Sequence, residues 1–212
     1  MYCPKHFEMP ESVRDSFIAR YPLATLFNTT VGEIAQCPLI YIPEEQVLLG
    51  HLANGNPFLK HIQCDTHVKV LFSGNQGYIS PNWYDEQKHA RDPVSFQHRE
   101  VPTWNYSTLE VTGIINTLDK QLTLQVLAQQ TARYERMVGE DWTLDKLSER
   151  QQQAMANAIT AIQIKVSTWQ GKSKLSQNKS LPMRQSLLSH LQNQSLYSYA
   201  ALTEDMKLGE GP

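Results

Sequence analysis

Three stretches alternate apolar and polar residues with a period of two. This pattern constrains the fold more than any other feature of the 212-residue chain. In "HVKVLF" (67–72), Val68, Val70 and Phe72 share one face, and His67 and Lys69 the other. In "STLEVTGIIN" (107–116), Leu109, Val111, Gly113 and Ile115 fall on one side. In "AIQIKVSTW" (161–169), Ile162, Ile164 and Val166 oppose Gln163, Lys165 and Ser167. Successive side chains point to opposite faces of a strand, so each stretch buries one face. Short apolar runs bounded by Pro, Gly or Glu pairs add strands at "ATLFNTT" (24–30), "PLIYI" (38–42) and "VLLGHL" (47–52). Several short strands separated by turn signals predict a barrel or sandwich.

Helical signals are confined to four places. "PESVRDSFIARYP" carries Pro10 near its start and Pro22 past its end. In "LDKQLTLQVLAQQTARYERM" (118–137), Leu118, Leu122 and Val126 recur every fourth residue, with Leu127 beside them. A further helix is expected from Thr143 into "QQQAMANAI". The last begins near Ser180–Pro182 and runs through Leu187, Leu188 and Leu191. The expected organisation is one domain over residues 1–212, mainly β with α additions. It has a helical insert at about 117–158, a C-terminal helical segment at about 180–200, and a frayed tail "TEDMKLGEGP".

Bulk properties exclude several function classes. A net charge of −2 argues against a protein that coats nucleic acid. Cys3, Cys37 and Cys64 have no CxxC spacing, and the odd count fits a reducing cytoplasm better than a disulfide scaffold. "MYCPKHFEMP" has no apolar targeting core, and no stretch is long enough to span a bilayer. The expectation is a soluble cytoplasmic protein. Scattered histidines without metal-ligand spacing argue against a metal site, and no G-x-S-x-G points to a hydrolase.

Candidate chemistry lies in four stretches. "GKSKLSQNKS" (171–180) combines Lys172, Lys174 and Lys179 with Ser173, Ser176, Gln177, Asn178 and Ser180. Cations and short donors at a strand-to-helix junction suit a phosphate, although a solvated polar loop is the plainer reading of the spacing alone. "YISPNWY" (78–84) and "VPTWNY" (101–106) each place a Pro two residues before a Trp, with a Tyr close behind. Proline restricts itself and its predecessor, so both are expected to be rigid extended corners. Tyr78, Trp83, Tyr84, Trp104 and Tyr106 would offer flat faces to an aromatic ligand. Ser80, Asn82, Thr103 and Asn105 would read its edge. Plugging the ends of a barrel is the plainer role for such residues. "GHLANGNP" (50–57) adds His51 and Asn56 as contact candidates on a shaped turn.

Taken in order, "MYCPKHF", "GHLANGNP", "YISPNWY", "VPTWNY" and "GKSKLSQN" closely resemble the PaiB family of FMN-binding negative transcriptional regulators. The resemblance implies the FMN-binding split β-barrel, the fold of pyridoxamine-phosphate-oxidase-like flavoproteins. It also implies a homodimer with flavin in a cleft between subunits. Lys172, Lys174, Ser176, Gln177 and Asn178 match the family's motif and are the phosphate or ring-edge candidates. Three places depart from the family pattern. Gln36–Cys37 stands where the family carries a His, Asn54–Gly55 replaces an Arg-Ala pair, and Leu109–Glu110 replaces Val-His. Loss of an Arg removes a bidentate anion clamp, so weakened or lost FMN binding is one expectation. The resemblance implies a regulator. Its alternatives are a flavin-dependent oxidoreductase, a haem-degrading enzyme, or a barrel that has lost its ligand. No helix-turn-helix pattern supports direct DNA contact.

Overall fold

The computed structural model describes residues 1–84, 100–194 and 199–208. Among the described residues there are seven strands: β1 (Leu23–Asn28), β2 (Ile34–Pro38), β3 (Ile40–Ile42), β4 (Val47–Ala53), β5 (Thr66–Ile79), β6 (Thr103–Thr117) and β7 (Ile159–Lys174). They form one sheet in the order β2-β1-β5-β6-β7-β4-β3. The helices are α1 (Arg14–Arg20), α2 (Lys120–Val138), α3 (Glu149–Ala158), α4 (Leu181–Gln192) and α5 (Tyr199–Leu208). None is long and apolar enough to cross a membrane.

The chain divides into two compact units. The first unit comprises Met1–Pro10, Ser73–Thr108 and Gly171–Pro212, and the second Glu11–Phe72 and Leu109–Gln170. Three strands therefore contribute residues to both.

The second unit is built by the expected alternation. Val68, Val70 and Phe72 of β5, and Leu109, Val111 and Ile115 of β6, are buried. β1 pairs with β2 and β5, and β4 with β3 and β7, all antiparallel. Gly113 is required where β6 meets β7, because a Cβ there would stand 2.4 Å from the Lys165 carbonyl oxygen. In β7 the alternation breaks: Ala161, Ile162 and Ile164 are buried, while Val166 is only half-buried.

Asp119 caps α2 by accepting from the Leu122 amide at 2.8 Å, and Gly139 ends it in the left-handed conformation. The buried row of α2 is Thr123, Val126, Leu127 and Gln130, not the row through Leu122, which is 39% exposed. The helix thus packs Val126 onto Ile40, Val47, Leu49 and Ala161. A Ser148/Gln151 capping box starts α3.

The first unit has its own core, in which Ile79, Tyr84 and Leu175 pack with Leu187 and Leu191 of α4 and with Tyr199, Leu202 and Met206 of α5. Three sequence expectations change here. Neither Trp stretch is the expected extended corner: Pro81–Tyr84 forms a 3-10 turn, and Thr103–Tyr106 is the start of strand β6, with Pro102 just outside the ladder. Gly171–Lys174 continues β7, so the polar junction begins only at Leu175. Residues 203–208 of the supposed frayed tail lie in α5, held by buried Leu202, Thr203 and Met206. Residues 209–212 fall outside the described residues.

Candidate functional site

In the first unit, β5 ends at Ile79, a tight 3-10 turn spans Pro81–Tyr84, and β6 starts at Thr103. These elements bring the two tryptophan-bearing stretches together through Tyr78. Its ring meets Trp83 edge-on at 6.5 Å and Trp104 at 6.3 Å. Trp83 in turn meets Tyr199 of α5 at 6.0 Å. Trp104 is 46% exposed and Tyr78 38%, so two large aromatic faces remain open to a ligand. Ser80 accepts from the Asn82 amide at 3.2 Å and shapes the turn.

The same unit holds a buried polar network. The Ser176 hydroxyl meets Tyr84 Oη at 2.8 Å and the Asn105 amide at 3.0 and 3.1 Å. Asn105 and Ser176 are 1% and 3% exposed. Burial pushes the Tyr84 phenol above its ordinary pKa, opposed by the Ser176 hydrogen bond and aided by the Glu100 charge. Ser176 holds φ at 65°, a conformation that costs a non-glycine residue energy. The Gln177 side chain is committed to its own turn, accepting from the Leu175 amide at 2.8 Å and donating to the Ser173 carbonyl. Asn178 is exposed.

The lysines differ in their partners. Lys179 pairs with Glu100. Lys172 is only 8% exposed, and its ammonium donates to the Tyr2 carbonyl at 3.2 Å and lies 5.1 Å from the centre of the Tyr106 ring. Lys174 donates to the Thr103 hydroxyl and, at 2.7 Å, to the Trp104 carbonyl. Among the described residues neither Lys172 nor Lys174 has a carboxylate partner. Burial, reinforced by the charges of Lys172 and Lys179, holds Lys174 below the ordinary lysine pKa. A buried cation without a counter-ion is costly, and an anion beside it lowers that cost. This surface therefore fits a flat ring bearing a negative group. The burial of Lys172 could not be read from sequence, because alternation does not say which face of the strand end is covered.

The remaining candidates lie in the second unit. His51 Nδ1 meets Gln130 Oε1 at 2.7 Å, and Gln130 donates to the Pro38 carbonyl at 2.9 Å, so this chain of contacts docks α2 on β4. Asn56 caps the 3-10 turn that follows, accepting from the Phe58 amide at 3.0 Å. Asn56 also lines an open cleft of about 600 Å³, with Ile34–Gln36 of β2 and with Ala53, Gly55 and Pro57. The departures from the family pattern have local partners. Gln36 donates to Thr25 at 3.3 Å, Asn54 donates to the Asn157 carbonyl at 2.7 Å, and Glu110 pairs with Lys69 at 3.1 Å. No group of His, Cys, Asp and Glu among the described residues could hold a metal ion.

The fold is that of the split-barrel flavoproteins. The FAD and haem binding protein from Mycobacterium smegmatis superposes with a TM-score of 0.55 at 16% identity, covering 80% of this chain and 74% of that one. A conserved hypothetical protein from Mycobacterium tuberculosis gives 0.56 at 11% identity, over 85% and 94%. Residues 1–168 match the model of the family described as "Putative FMN-binding domain", and the chain belongs to this family. FMN is accordingly the cofactor that membership indicates. The "Protease synthase and sporulation protein PAI 2" of Bacillus subtilis (strain 168) is 28% identical over 199 residues, covering 92% of this chain and 90% of that one. An uncharacterised protein of Saccharomyces cerevisiae is 26% identical over 160 residues, 64% of this chain and 90% of that one.

Proposed function

We propose that this protein binds FMN at the surface of the first unit and acts as a flavin-responsive negative regulator of gene expression. The observation that carries the site is the pair Lys172 and Lys174, without carboxylate partners among the described residues, in the same unit as the exposed Trp104 and Tyr78, with Lys174 bonded to the Trp104 carbonyl. In this reading the lysines hold the anionic end of the cofactor. Trp83, Trp104 and Tyr78 border its ring, and Ser80, Thr103 and Asn178 supply edge contacts. Asn105, Ser176 and Gln177 position the Leu175–Asn178 turn. Asn56 belongs to the cofactor set only if the cleft of about 600 Å³ is also used, whereas His51 serves to seat α2 through Gln130.

Bound FMN supplies redox chemistry, and a cation near its ring edge favours the reduced anionic form. The homodimer is part of the proposal and follows from the family resemblance. The regulatory output is supported by the name of the Bacillus relative, which ties that protein to protease synthesis and sporulation. The net charge of −2 supports an output that works through a partner or ligand, since DNA affinity is dominated by phosphate contacts.

The test is a titration of the protein with FMN and with riboflavin, followed by quenching of flavin fluorescence. Lys172→Gln and Trp104→Ala are compared with the unaltered chain. Loss of a charge-assisted contact is worth about 1.5–3 kcal/mol, so Lys172→Gln weakens FMN about tenfold to a hundredfold. Riboflavin, which lacks the phosphate, is barely affected by Lys172→Gln, while Trp104→Ala weakens both ligands. Equal affinity for FMN in all three proteins, or no uptake by the unaltered chain, refutes the assignment.

A further inference from the structure

We propose that residues Met1–Cys3 form a strap over Lys172, and that an anionic ligand displaces this strap to reach the ammonium. The inference rests on the reading above, in which Lys172 meets the anionic end of the ligand. Lys172 is buried, and among the described residues its ammonium donates to one acceptor, the Tyr2 carbonyl, at 3.2 Å. The rest of its cover is aromatic: the Tyr106 ring centre lies 5.1 Å away and that of Tyr2 5.9 Å. An ammonium carries three N–H donors, so one neutral carbonyl leaves it short of partners. An anion in place of that carbonyl makes the stronger, charge-assisted bond. Strap and ligand therefore compete for the same amine.

Tyr2 and Cys3 are lightly held. Tyr2 is 84% exposed, so closing the strap buries little apolar surface. The Cys3 thiol makes long contacts, at 3.8 Å, to the Pro4 and Gly171 carbonyls. Firm attachment begins beyond them. The Phe7 amide donates to the Pro4 carbonyl at 2.8 Å, the Met9 amide donates to the Gly171 carbonyl at 3.1 Å, and both Phe7 and Met9 are buried. Glu8 bridges to Lys172 through the backbone. The chain from Pro4 onward thus stays in place when the first three residues lift, which makes the strap a local opening of low cost. A closed strap lowers the apparent affinity for an anion by the fraction of molecules that it occupies.

The experiment uses Cys3 as the reporter of the strap. Its alkylation by iodoacetamide is timed by mass spectrometry, with the exposed Cys64 as internal reference. FMN, riboflavin and pyrophosphate are the probes. FMN affinity is measured for the unaltered chain, for a chain beginning at Pro4, and for Tyr2→Gly, which loosens the strap without shortening it. FMN and pyrophosphate are expected to speed Cys3 alkylation, riboflavin to leave it unchanged, and Cys64 to stay constant throughout. The chain beginning at Pro4 binds FMN about tenfold tighter, since one competing hydrogen bond to a charged group is gone, and binds riboflavin as before. Tyr2→Gly shifts FMN in the same direction by less, and Lys172→Gln removes the ligand dependence of Cys3 alkylation. Cys3 alkylation indifferent to both anions, or truncation that leaves FMN affinity unchanged or weaker, overturns the proposal. Pyrophosphate that exposes Cys3 in a chain taking up no FMN upholds this inference while the flavin reading fails. FMN binding that needs Lys172 but leaves Cys3 alkylation unchanged overturns this inference alone.

Discussion

Replacing Ser176 separates two forces acting on one residue. Its hydroxyl joins Tyr84 Oη at 2.8 Å and the Asn105 amide at 3.0 Å inside the first unit, while its backbone sits at φ 65°. Ser176→Ala strips a partner from two buried groups and keeps the strained backbone. Each buried polar group left short of a partner costs about 1–3 kcal/mol, and Asn105 retains only a weak contact to Met206 Sδ at 3.7 Å. The expected loss for Ser176→Ala is therefore about 2–6 kcal/mol. Ser176→Gly loses the same hydrogen bonds but relieves the backbone, which recovers about 1 kcal/mol. Tyr84→Phe removes one hydroxyl and leaves Ser176 paired with Asn105, for a loss of about 1 kcal/mol. The double variant Tyr84→Phe/Ser176→Ala falls short of the sum of the singles by about 1 kcal/mol, since both remove the same bond. Urea unfolding followed by tryptophan fluorescence and far-ultraviolet circular dichroism measures all four. A Ser176→Ala loss below about 0.5 kcal/mol, or a glycine variant less stable than the alanine one, refutes the reasoning.

Two further predictions follow from burial. A Cβ at Gly77 would stand 2.5 Å from a Tyr199 ring carbon and 2.9 Å from Leu202, so Gly77→Ala loosens α5. Limited proteolysis then cuts within 199–208 faster than in the unaltered chain, and an unchanged pattern counts against that packing. Burial pushes the Cys37 thiol from 9.0 up to about 12. The unfolded chain ionises this thiol above about pH 9 and the native chain does not. Stability is therefore fully present below that pH and is lost as pH climbs toward 12, by up to about 1.4 kcal/mol per pH unit. Cys37→Ala flattens this alkaline decline in urea titrations. An equal slope in both proteins contradicts the assignment.

The alternating stretches were legible because one buried face forces a period of two, and Val68, Val70, Phe72, Leu109, Val111 and Ile115 are all buried. The full length of β5 was not, because "SGNQG" carries no apolar pattern and its pairing is set by neighbouring strands. α5 was hidden by the charges of "TEDMK", although its buried side, Tyr199, Leu202 and Met206, is spaced at three and four residues. Lys172, Lys174 and the aromatic residues stood out by type and order. Which of them would be buried did not, since Asn105 and Ser176 lie 71 positions apart and only the folded chain joins them. The left-handed conformation of Ser176 has no signature in a serine.

The first unit is assembled from three separate pieces of sequence, and this bears on how the protein is made. Met9 donates to the Gly171 carbonyl at 3.1 Å, and Lys172 reaches back 170 positions to the Tyr2 carbonyl. Tyr2 and Met9 therefore find these partners only once residues 171 and 172 are present. A chain cut before residue 171 lacks both site lysines, Lys172 and Lys174, and the partners described for Tyr2 and Met9. The cationic surface thus exists only in a chain that carries all three pieces of the first unit.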